Sequence, residues 1–308
     1  MNVLFTNAGR RTYIIDYALK LKKLKIFITE TDKYSPVSLH NKVKHYFTIR
    51  VTKDPKKYLK QILNIVVRER IKKIIPLSDH DLEILSQNRN FFFDVGCDVV
   101  VSNPSTIKNC INKKLMHKHC INNKINTPKS FFSSKNTVGL SNTFIKKEIK
   151  GSGGKDMEIL KKKINLKKIN FKKFFIQKKI KGDEFGIDIF SIKEKNLSRI
   201  CIKKKILMRS GETDRSLIVN NRKIINFCKK ILKYFPVYGN LDCDLIMDKQ
   251  GKIYLIDLNP RFGGGYPATH EAGLEYLYYL LKKDFHIPKI PIKKIVSKGI
   301  NIFSKKIK

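Results

Sequence analysis

The segment GNLDCDLIMDKQGKIYLIDLNPRFGGGYP, residues 239–267, contains two apolar runs separated by a turn sequence. The runs, at 241–247 and 252–258, are rich in Ile, Leu and Tyr. Between them, Asp248-Lys249-Gln250-Gly251 consists of residue types that tolerate turn geometry. This pattern predicts a β-hairpin.

Four polar side chains interrupt the apolar pattern of the predicted hairpin. Because residues two apart on a strand share a face, Asp242 and Asp244 lie on one side of the first strand. Asp257 and Asn259 share a face of the second strand for the same reason. Carboxylates on apolar strands are costly unless a cation or another partner compensates them. Hard oxygen ligands of this kind suit Mg²⁺, so the pattern predicts a metal site.

Groups suited to phosphate follow directly after these acids. Arg261 carries a planar guanidinium that can bind phosphate through parallel hydrogen bonds. Gly263-Gly264-Gly265 comes next, and glycine allows the main chain to approach a ligand closely. Together with the predicted metal ligands, these residues favour a site for a metal-bound nucleotide phosphate.

The chain of 308 residues carries a formal net charge of +39. Such a charge fits nucleic-acid or membrane-surface binding. The lysines, however, are spread along the whole chain instead of forming one stripe interleaved with aromatic residues. We therefore interpret the charge as compositional bias with a solvated basic surface. It predicts weak nucleic-acid binding at low salt and no specific nucleic-acid partner.

No apolar run approaches the length needed to span a bilayer, and Arg10 and Arg11 interrupt the N-terminal apolar run where a signal peptide would continue. These features favour a cytoplasmic protein. The six cysteines form no CxxC pair and no zinc-ligand spacing, as is typical of reduced thiols. His117 and His119 form an HxH pair without other ligands nearby in sequence, so no metal role is assigned to them.

Apolar strands alternate with helix-like segments over the first 105 residues. The predicted strands are 2–6, 25–29, 73–77 and 98–102, and the predicted helices are 13–24, 55–70 and 82–87. Strands that alternate with helices imply a doubly wound parallel sheet with right-handed crossovers.

A dinucleotide-binding domain is one alternative for this region. The first turn has a single glycine instead of the GxGxxG spacing, although an acidic residue, Glu30 or Asp32, follows the second strand. Ligands of such sheets bind outside the carboxyl ends of the strands. Asn7, Arg10 and Asp79 are therefore placed either to line a ligand or to form helix caps and surface turns.

Pro104-Ser105 marks a boundary, after which a helix is predicted at 106–122 and a strand at 143–149. The loop 150–155 that follows is rich in Gly and Ser and flanked by lysines. Backbone N–H groups of such a loop can surround phosphates, although the spacing is not that of a P-loop. Lys147, on the strand before the loop, would be directed at the same phosphates.

The remaining segments surround the hairpin. The predicted strands are 174–180, 184–192 and 197–207, the predicted helices are 221–235 and 272–281, and the Lys-rich end from 287 is expected to be peripheral. Arg209, Glu212 and Asp214 belong to a polar segment, 208–216, which either meets substrate or phosphates or forms a solvated loop.

The segment IDLNPRFGGGYP, residues 256–267, resembles the E-x-N-P-R motif of the ATP-grasp superfamily, in the branch of ligases similar to the carbamoyl-phosphate synthetase large chain. Three further elements occur in the family's order, and the resemblance covers nearly the whole chain. It implies an α/β and α+β protein, with an ATP-grasp fold preceded by a doubly wound parallel-sheet domain. The implied regions are 1–105 (pre-ATP-grasp domain), 106–290 (ATP-grasp domain, with a Gly-rich-loop subdomain at 127–180 and a catalytic subdomain at 181–290) and 291–308 (basic C-terminal tail).

The resemblance also assigns residues to the site. Arg261 and Lys147 are the implied catalytic residues, and Arg261 would contact the γ-phosphate. The implied ATP-binding residues are Lys113, Lys147, Gly151, Ser152, Gly153, Gly154, Lys155, the adenine hinge Gln177, Lys178, Lys179 and Ile180, and the ribose-binding Glu184. The implied ligands of two Mg²⁺ ions, for which Mn²⁺ is a substitute, are Asp244, Asp257 and Asn259. The candidate substrate contacts are Asn7, Arg10, Arg209 and Gly264.

The chain departs from the family pattern at several positions. Asp257 replaces the motif's Glu, and Glu148 follows Lys147 where the family usually has Pro. Asp244 stands where the synthetases usually have Gln, although several related ligases have acids there. Asp242 is a rival for the same metal position, and strand phase does not separate the two because both share a face. The second synthetase half and the allosteric domain are missing, so a stand-alone ligase is expected.

The resemblance implies an ATP-dependent carboxylate–amine ligase. A carboxylate would attack the γ-phosphate to give an acylphosphate and ADP, and an amine would then displace phosphate. The expected partners are an amino acid or small carboxylate and an amine, without a membrane span, and a homodimer is left open. The alternative is a non-catalytic, degenerate ATP-grasp protein that binds nucleotide for regulation. Such a chain should have lost a metal ligand or a phosphate lysine, and here all are present.

Overall fold

The N-terminal residues form a parallel sheet. The structure is a computed structural model of the protein. It describes residues 1–134, 143–151, 157–160, 166–192, 197–209, 211–282 and 286–299, except for the side chain of Lys167. The strand order is β3-β2-β1-β4-β5, and all described pairings are parallel. The strands are β1 (Asn2–Thr6), β2 (Lys25–Glu30), β3 (Lys44–Phe47), β4 (Lys73–Pro76) and β5 (Asp98–Val99).

Helices connect these strands, which confirms the predicted doubly wound sheet. They are α1 (Thr12–Leu19), α2 (Pro55–Arg68), α3 (Asp79–Gln87) and α4 (Arg89–Asp94). The strand β3 and the helix α4 were not predicted, and β5 is shorter than the expected 98–102. Because the strands are parallel, the residues that follow β1, β2 and β4 meet at one edge of the sheet.

The helix predicted at 106–122 is divided into α5 (Pro104–Ile111) and α6 (Lys113–Asn122). Asn112 separates them with extended backbone, at φ −108° and ψ 106°. Its side-chain oxygen accepts hydrogen bonds from the N–H groups of Lys114 and Leu115 at 3.0 and 3.2 Å. The cap therefore starts a new helix with Lys113 as its first residue.

The next region is a small antiparallel sheet in the order β6-β9-β7-β8. Its strands are β6 (Ser130–Phe131), β7 (Phe144–Glu148), β8 (Glu158–Leu160) and β9 (Phe174–Lys178). Phe131, Phe144 and Ile176 form its apolar core. Most of the Gly-rich loop, Ser152 to Lys155, lies outside the described residues, whereas Gly151 is described.

The second large sheet is antiparallel, in the order β14-β13-β10-β11-β12-β15. Its strands are β10 (Gly182–Ile192), β11 (Leu197–Arg209), β12 (Glu212–Val219), β13 (Gly239–Asp248), β14 (Ile253–Asn259) and β15 (Ile295–Ser297). The pairing of β13 with β14 confirms the hairpin predicted from the starting segment. The helix α7 (Arg222–Tyr234) connects β12 to β13.

Of the two alternatives for the polar segment 208–216, the solvated loop was wrong, because residues 208–209 and 212–216 belong to the paired ends of β11 and β12. Two further expectations for this region were wrong. The helix predicted at 272–281 is replaced by α8 (Tyr266–Glu271) and α9 (Tyr276–Leu281), which are separated at Gly273, where φ is +82°. The end of the chain is not wholly peripheral, since β15 pairs with β12.

One apolar core joins the N-terminal sheet to the C-terminal helices. Phe5 and Ile14 pack in the same buried cluster as Tyr266, Tyr276 and Leu277. Burying a side chain of this size contributes about 2 kcal/mol, so this boundary is a substantial packed interface. No helix within the described ranges has the length and apolar character required to cross a bilayer.

Candidate active site

Two rows of side chains cross one face of the second large sheet. The first row contains Asp257, Asp244, Gly186 and Lys203, and the second contains Asn259, Asp242, Asp188 and Cys201. Directly opposite residues on antiparallel strands have Cβ atoms about 5 Å apart. The register therefore makes the hairpin acids close neighbours, as the alternation of the sequence predicted.

Lysine side chains compensate the acids of the first row. The Lys113 ammonium donates a hydrogen bond to Asp257 Oδ1, and the Lys205 ammonium lies 2.7 Å from Asp244 Oδ1. Lys113 was predicted as a phosphate contact, and here it bridges α6 to the hairpin. Burial disfavours the charged form of Lys205, yet the Asp244 carboxylate raises the pKa of this lysine above its ordinary value.

The donor set at this position fits a divalent cation. Asp244, Asp257 and Asn259 offer carboxylate and amide oxygens, which are the ligands that Mg²⁺ prefers. The ammonium groups of Lys113 and Lys205 contact these carboxylates in this structure, so a bound cation would replace them as the positive partner. Within the described part of the chain, no group of three or more His, Cys, Asp or Glu side chains is arranged to hold a metal ion. The amide oxygen of Asn259 would therefore complete the set.

Arg261 is buried between two carboxylates from different parts of the chain. Its side chain lies 2.9 Å from Asp79 Oδ2 and 3.5 Å from Asp242 Oδ2, and the residue is 7% exposed. Burial disfavours the guanidinium charge, but Asp79 and Asp242 raise the pKa of Arg261 above its ordinary value. The two acids that compete for the predicted metal position therefore have different partners. Asp242 contacts Arg261, whereas Asp244 pairs with Lys205.

Asp242 lies against the glycine run. A Cβ atom at Gly263 would be 2.1 Å from Asp242 Oδ2, so the main chain passes where only glycine fits. Burial, together with the Asp188 and Asp244 carboxylates, raises the pKa of Asp242 to about 7. Tyr13, on α1, donates a hydrogen bond to the carbonyl oxygen of Gly263 at 3.0 Å. The N-terminal domain thus also contacts the glycine run.

A buried ion pair contacts the glycine run, residues 263–265. Lys203 and Asp188, with side chains 1% and 0% exposed, are bonded to each other, and Lys203 also donates to the Gly265 carbonyl at 3.3 Å. Asn240 and Thr269 donate to the two oxygens of Asp188. A buried pair with this many hydrogen bonds holds its neighbours in one geometry.

Glu212 borders a pocket over these rows. The pocket is lined by Gly186, Lys203, Lys205, Met208, Gly211, Glu212, Thr213, Asp242, Asp244, Gly264 and Gly265. Lys298 donates to Glu212 Oε2 at 3.2 Å and to the Gly264 carbonyl at 3.0 Å. Arg10 lies 3.7 Å from the other Glu212 oxygen, and Gly264 lines the pocket beside the same side chain, so two of the predicted substrate residues are neighbours of this carboxylate, although Arg10 does not line the pocket.

The other two predicted substrate residues are not at this pocket. Asn7 donates a hydrogen bond to Asp81 Oδ1 at 2.7 Å at the edge of the N-terminal sheet. Arg209 is exposed and lies 3.4 Å from Asp214 near the end of the β11–β12 hairpin. Neither residue lines the pocket bordered by Glu212.

Lys147 belongs to the small sheet but lies within electrostatic reach of the hairpin acids. It donates a hydrogen bond to Gln177 Oε1 at 2.9 Å, and Gln177 in turn donates to Ser130 Oγ at 3.1 Å. Burial lowers the pKa of Lys147, while the charges of Asp257, Asp244 and Glu184 oppose that shift. The small sheet and the second large sheet therefore bring their predicted ATP residues towards one space.

The predicted adenine hinge, 177–180, connects β9 to β10. The N–H groups of Lys178 and Lys179 donate to the carbonyl oxygens of Lys129 and Thr143, each at 2.8 Å. Because these two N–H groups are already hydrogen-bonded, other peptide groups of 177–180 would have to contact the adenine base. Glu184, the predicted ribose ligand, is exposed near the start of β10.

Lys203 and Lys205 are the main residues of this site that sequence reasoning missed. They alternate on β11 and lie on the face of the acidic rows, which is a detectable signal once the register is known. In the sequence they belong to Lys203-Lys204-Lys205, in a chain with 65 lysine and arginine residues. The compositional bias concealed them.

Comparisons with known proteins agree with this architecture. Residues 110–265 match the family described as ATP-grasp domain, and residues 3–100 match the PylC-like, N-terminal domain. The chain is 24% identical over 312 residues to an uncharacterized protein of Methanocaldococcus jannaschii, covering 93% of this chain and 76% of that protein.

Three solved structures illustrate the likeness in fold. An L-amino acid ligase from Bacillus licheniformis superposes with a TM-score of 0.72 at 16% identity, over 91% of this chain and 73% of its own. Biotin carboxylase from Campylobacter jejuni gives 0.71 at 13% identity, over 96% and 74%. N5-carboxyaminoimidazole ribonucleotide synthetase from Thermotoga maritima gives 0.69 at 13% identity, over 96% and 79%.

Identities this low establish a shared fold and leave the reaction open, whereas the family match rests on the sequence itself. The matched residues, 110–265, make up half of the 308-residue chain and include the hairpin with its acids and Arg261. The chain belongs to the ATP-grasp family.

Proposed function

We propose that the protein is an ATP-dependent carboxylate–amine ligase that forms an acylphosphate and releases ADP and phosphate. The observation that carries the proposal is the set of acids on the hairpin, together with Lys113, Lys147 and Arg261, around one space. ATP-grasp membership and the named activities of similar structures, among them an L-amino acid ligase, support the same class of reaction.

In this proposal the lysines and Arg261 bind the phosphates. Lys147 and Arg261 hold the γ-phosphate in line with the attacking carboxylate and neutralise charge that develops on its oxygens. Lys113, which donates a hydrogen bond to Asp257 in this structure, would donate to a phosphate oxygen of bound ATP instead. Asp244, Asp257 and Asn259 would hold Mg²⁺, which supplies further neutralisation of the phosphate oxygens when bound. Asp244 is preferred over Asp242 because Asp242 is engaged by Arg261.

The pocket beside Glu212 is the proposed place of the substrates. An oxygen of the substrate carboxylate forms a bond to the γ-phosphorus of ATP as the bond between that phosphorus and ADP breaks. The amine nitrogen then attacks the acyl carbon, phosphate leaves, and the nitrogen loses a proton. The glycine run at 263–265 lets the main chain border the reacting groups at close range. A small amino acid or carboxylate is the proposed substrate class.

A screen of amino acids and small carboxylates, paired with amines, tests the activity through stimulated ADP release in the presence of ATP and Mg²⁺. We expect Asp257→Asn and Arg261→Lys to lower the rate by about a hundredfold or more, since the first removes a charged metal ligand and the second replaces the planar guanidinium by a single ammonium group. Asp183→Asn is the matched control, because Asp183 is an exposed acid of the same sheet that pairs with Lys204.

The control should keep the wild-type rate, and all three variants should keep the wild-type circular dichroism spectrum. A wild-type rate in folded Asp257→Asn would refute the site. ATP binding without turnover of any substrate pair, in the presence of Mg²⁺, would instead support the non-catalytic alternative.

A further inference from the structure

The contact between Asp79 and Arg261 crosses from the N-terminal domain to the end of the hairpin. Asp79 Oδ2 lies 2.9 Å from an Arg261 terminal nitrogen, the shorter of the two carboxylate contacts that this guanidinium makes. The two residues are 182 positions apart in the chain. An N-terminal residue is thus a direct neighbour of the proposed γ-phosphate ligand.

The backbone of Asp79 is held in its own domain, while its Oδ1 atom is buried and has no hydrogen-bond partner among the described residues. Asp79 is the first residue of α3, whose N-cap, Ser78, accepts a hydrogen bond from the His80 N–H. A carboxylate at a helix N-terminus is favoured by the helix dipole. Burial opposes the charge of Asp79, but Arg261, with Lys113 and Arg11, holds the pKa of this acid below its ordinary value. Asp79 is therefore an anion carried by the fixed first turn of α3.

The guanidinium has little freedom of its own. Its Nη1 also donates to the Phe262 carbonyl at 3.3 Å, and the residue is 7% exposed. The Nε atom is buried and has no hydrogen-bond partner within the described residues. Asp79 and Asp242 thus fix the plane of the guanidinium while a donor remains without a protein acceptor. A long side chain held by fixed acids is preorganised for an anionic ligand.

We propose that Asp79 is a positioning residue for Arg261, so that the phosphate site is complete only when the N-terminal domain is packed against the hairpin. The inference rests on the proposed function, in which Arg261 contacts the γ-phosphate. Asp79 itself touches no ligand in this proposal. It acts by fixing the orientation of the guanidinium.

Nucleotide binding tests the proposal without requiring the substrates. A non-hydrolysable ATP analogue and ADP, each with Mg²⁺, are titrated into the full-length protein by calorimetry. Because the γ-phosphate distinguishes the two ligands, we expect Asp79→Asn to weaken analogue binding by about tenfold, as losing a group that orients a ligand commonly does. ADP binding should remain unchanged.

A second interdomain contact provides the matched control. Tyr238 donates a hydrogen bond to Asp98 Oδ2 at 2.6 Å, across the same boundary but away from Arg261. Tyr238→Phe should keep the wild-type preference for the analogue over ADP. If it loses that preference as strongly as Asp79→Asn, general loosening of the interface is responsible and the proposal is overturned.

A double-mutant cycle separates positioning from an independent effect. If Asp79 acts through Arg261, Asp79→Asn should add no further loss in the Arg261→Lys background. An additive loss, or a wild-type preference in folded Asp79→Asn, would overturn the proposal. Asp79→Ser, judged by the same criteria, replaces Asp79→Asn if the latter does not fold. Failure of the wild-type protein to bind either nucleotide would contradict the proposed function itself.

Discussion

At Gly263 the main chain passes so close to Asp242 that a single methyl group has no room. A Cβ atom there would be 2.1 Å from Asp242 Oδ2, and Asp242 in turn contacts Arg261. The glycine is therefore required by a neighbouring side chain, although its own backbone is not among those with positive φ. The geometry of Arg261, the proposed phosphate contact, therefore depends on the absence of a side chain at Gly263.

We expect Gly263→Ala to displace Asp242 and, through it, Arg261. A misplacement of about 1 Å can lower a rate by about a hundredfold, so ADP release should fall by that order while the fold persists. Gly299→Ala is the control, because a Cβ atom at Gly299 meets nothing within 4 Å. Equal rates for both variants would show that Asp242 can move without consequence.

Asp242 and Asp244 also illustrate what a separation of two positions along a strand can change. They share a face, yet Asp242 lies opposite Asn259 and contacts Arg261, whereas Asp244 lies opposite Asp257 and pairs with Lys205. Their identical chemistry is therefore divided between holding a guanidinium and, in the proposed function, binding a metal.

Among the elements, the break between α5 and α6 contributes most to the site. Asn112 caps α6 through two backbone N–H groups and places Lys113 at the first position of the helix, where it reaches Asp257. If α5 continued through Asn112 as one helix, the periodicity of α5 would set the direction of the Lys113 side chain. The cap is therefore both a stabilising feature and the reason for the lysine's location.

Replacing the cap should cost stability. We expect Asn112→Ala to lower the free energy of unfolding by about 1 kcal/mol, because two N–H groups lose their acceptor. Asn112→Ser, which keeps a capping oxygen, should stay close to wild type. Urea unfolding followed by circular dichroism measures both. An unchanged midpoint for Asn112→Ala would show that the cap contributes nothing to the stability of α6.

At the scale of the whole molecule, the net charge of +39 has a consequence separate from the site. A surface with so many lysines attracts any polyanion by releasing counterions from it. The proposed site uses few of these lysines, so the surface charge and the phosphate site should respond to different conditions.

We expect the protein to bind duplex DNA at low salt, with the association constant falling by about a thousandfold between roughly 50 and 200 mM salt. Two duplexes of equal length and unrelated sequence should bind equally, as measured by fluorescence anisotropy. A preference for one sequence that persists at the higher salt would contradict our interpretation of the charge as compositional.

The sequence by itself determined the local elements and the residues of the central motif. Strand alternation and a turn sequence were enough for the β13–β14 hairpin, and the alternation of strands and helices was enough for the parallel N-terminal sheet without its edge strand β3. These features follow from periodicity, which is a property of neighbouring residues. The same periodicity placed the acids of the hairpin on shared faces, whereas Arg261 was predicted as a phosphate contact from its chemistry and from its position in the motif.

Only the tertiary structure decided which residues meet. The pairing of Arg261 with Asp79, of Lys205 with Asp244, and of β15 with β12 joins positions far apart in the chain. Strand phase gives the face of a residue but not its partner on another strand, because register and domain packing depend on the burial of many side chains at once. The proposed ligand of the γ-phosphate was visible in the sequence, whereas the carboxylates that hold it required the fold.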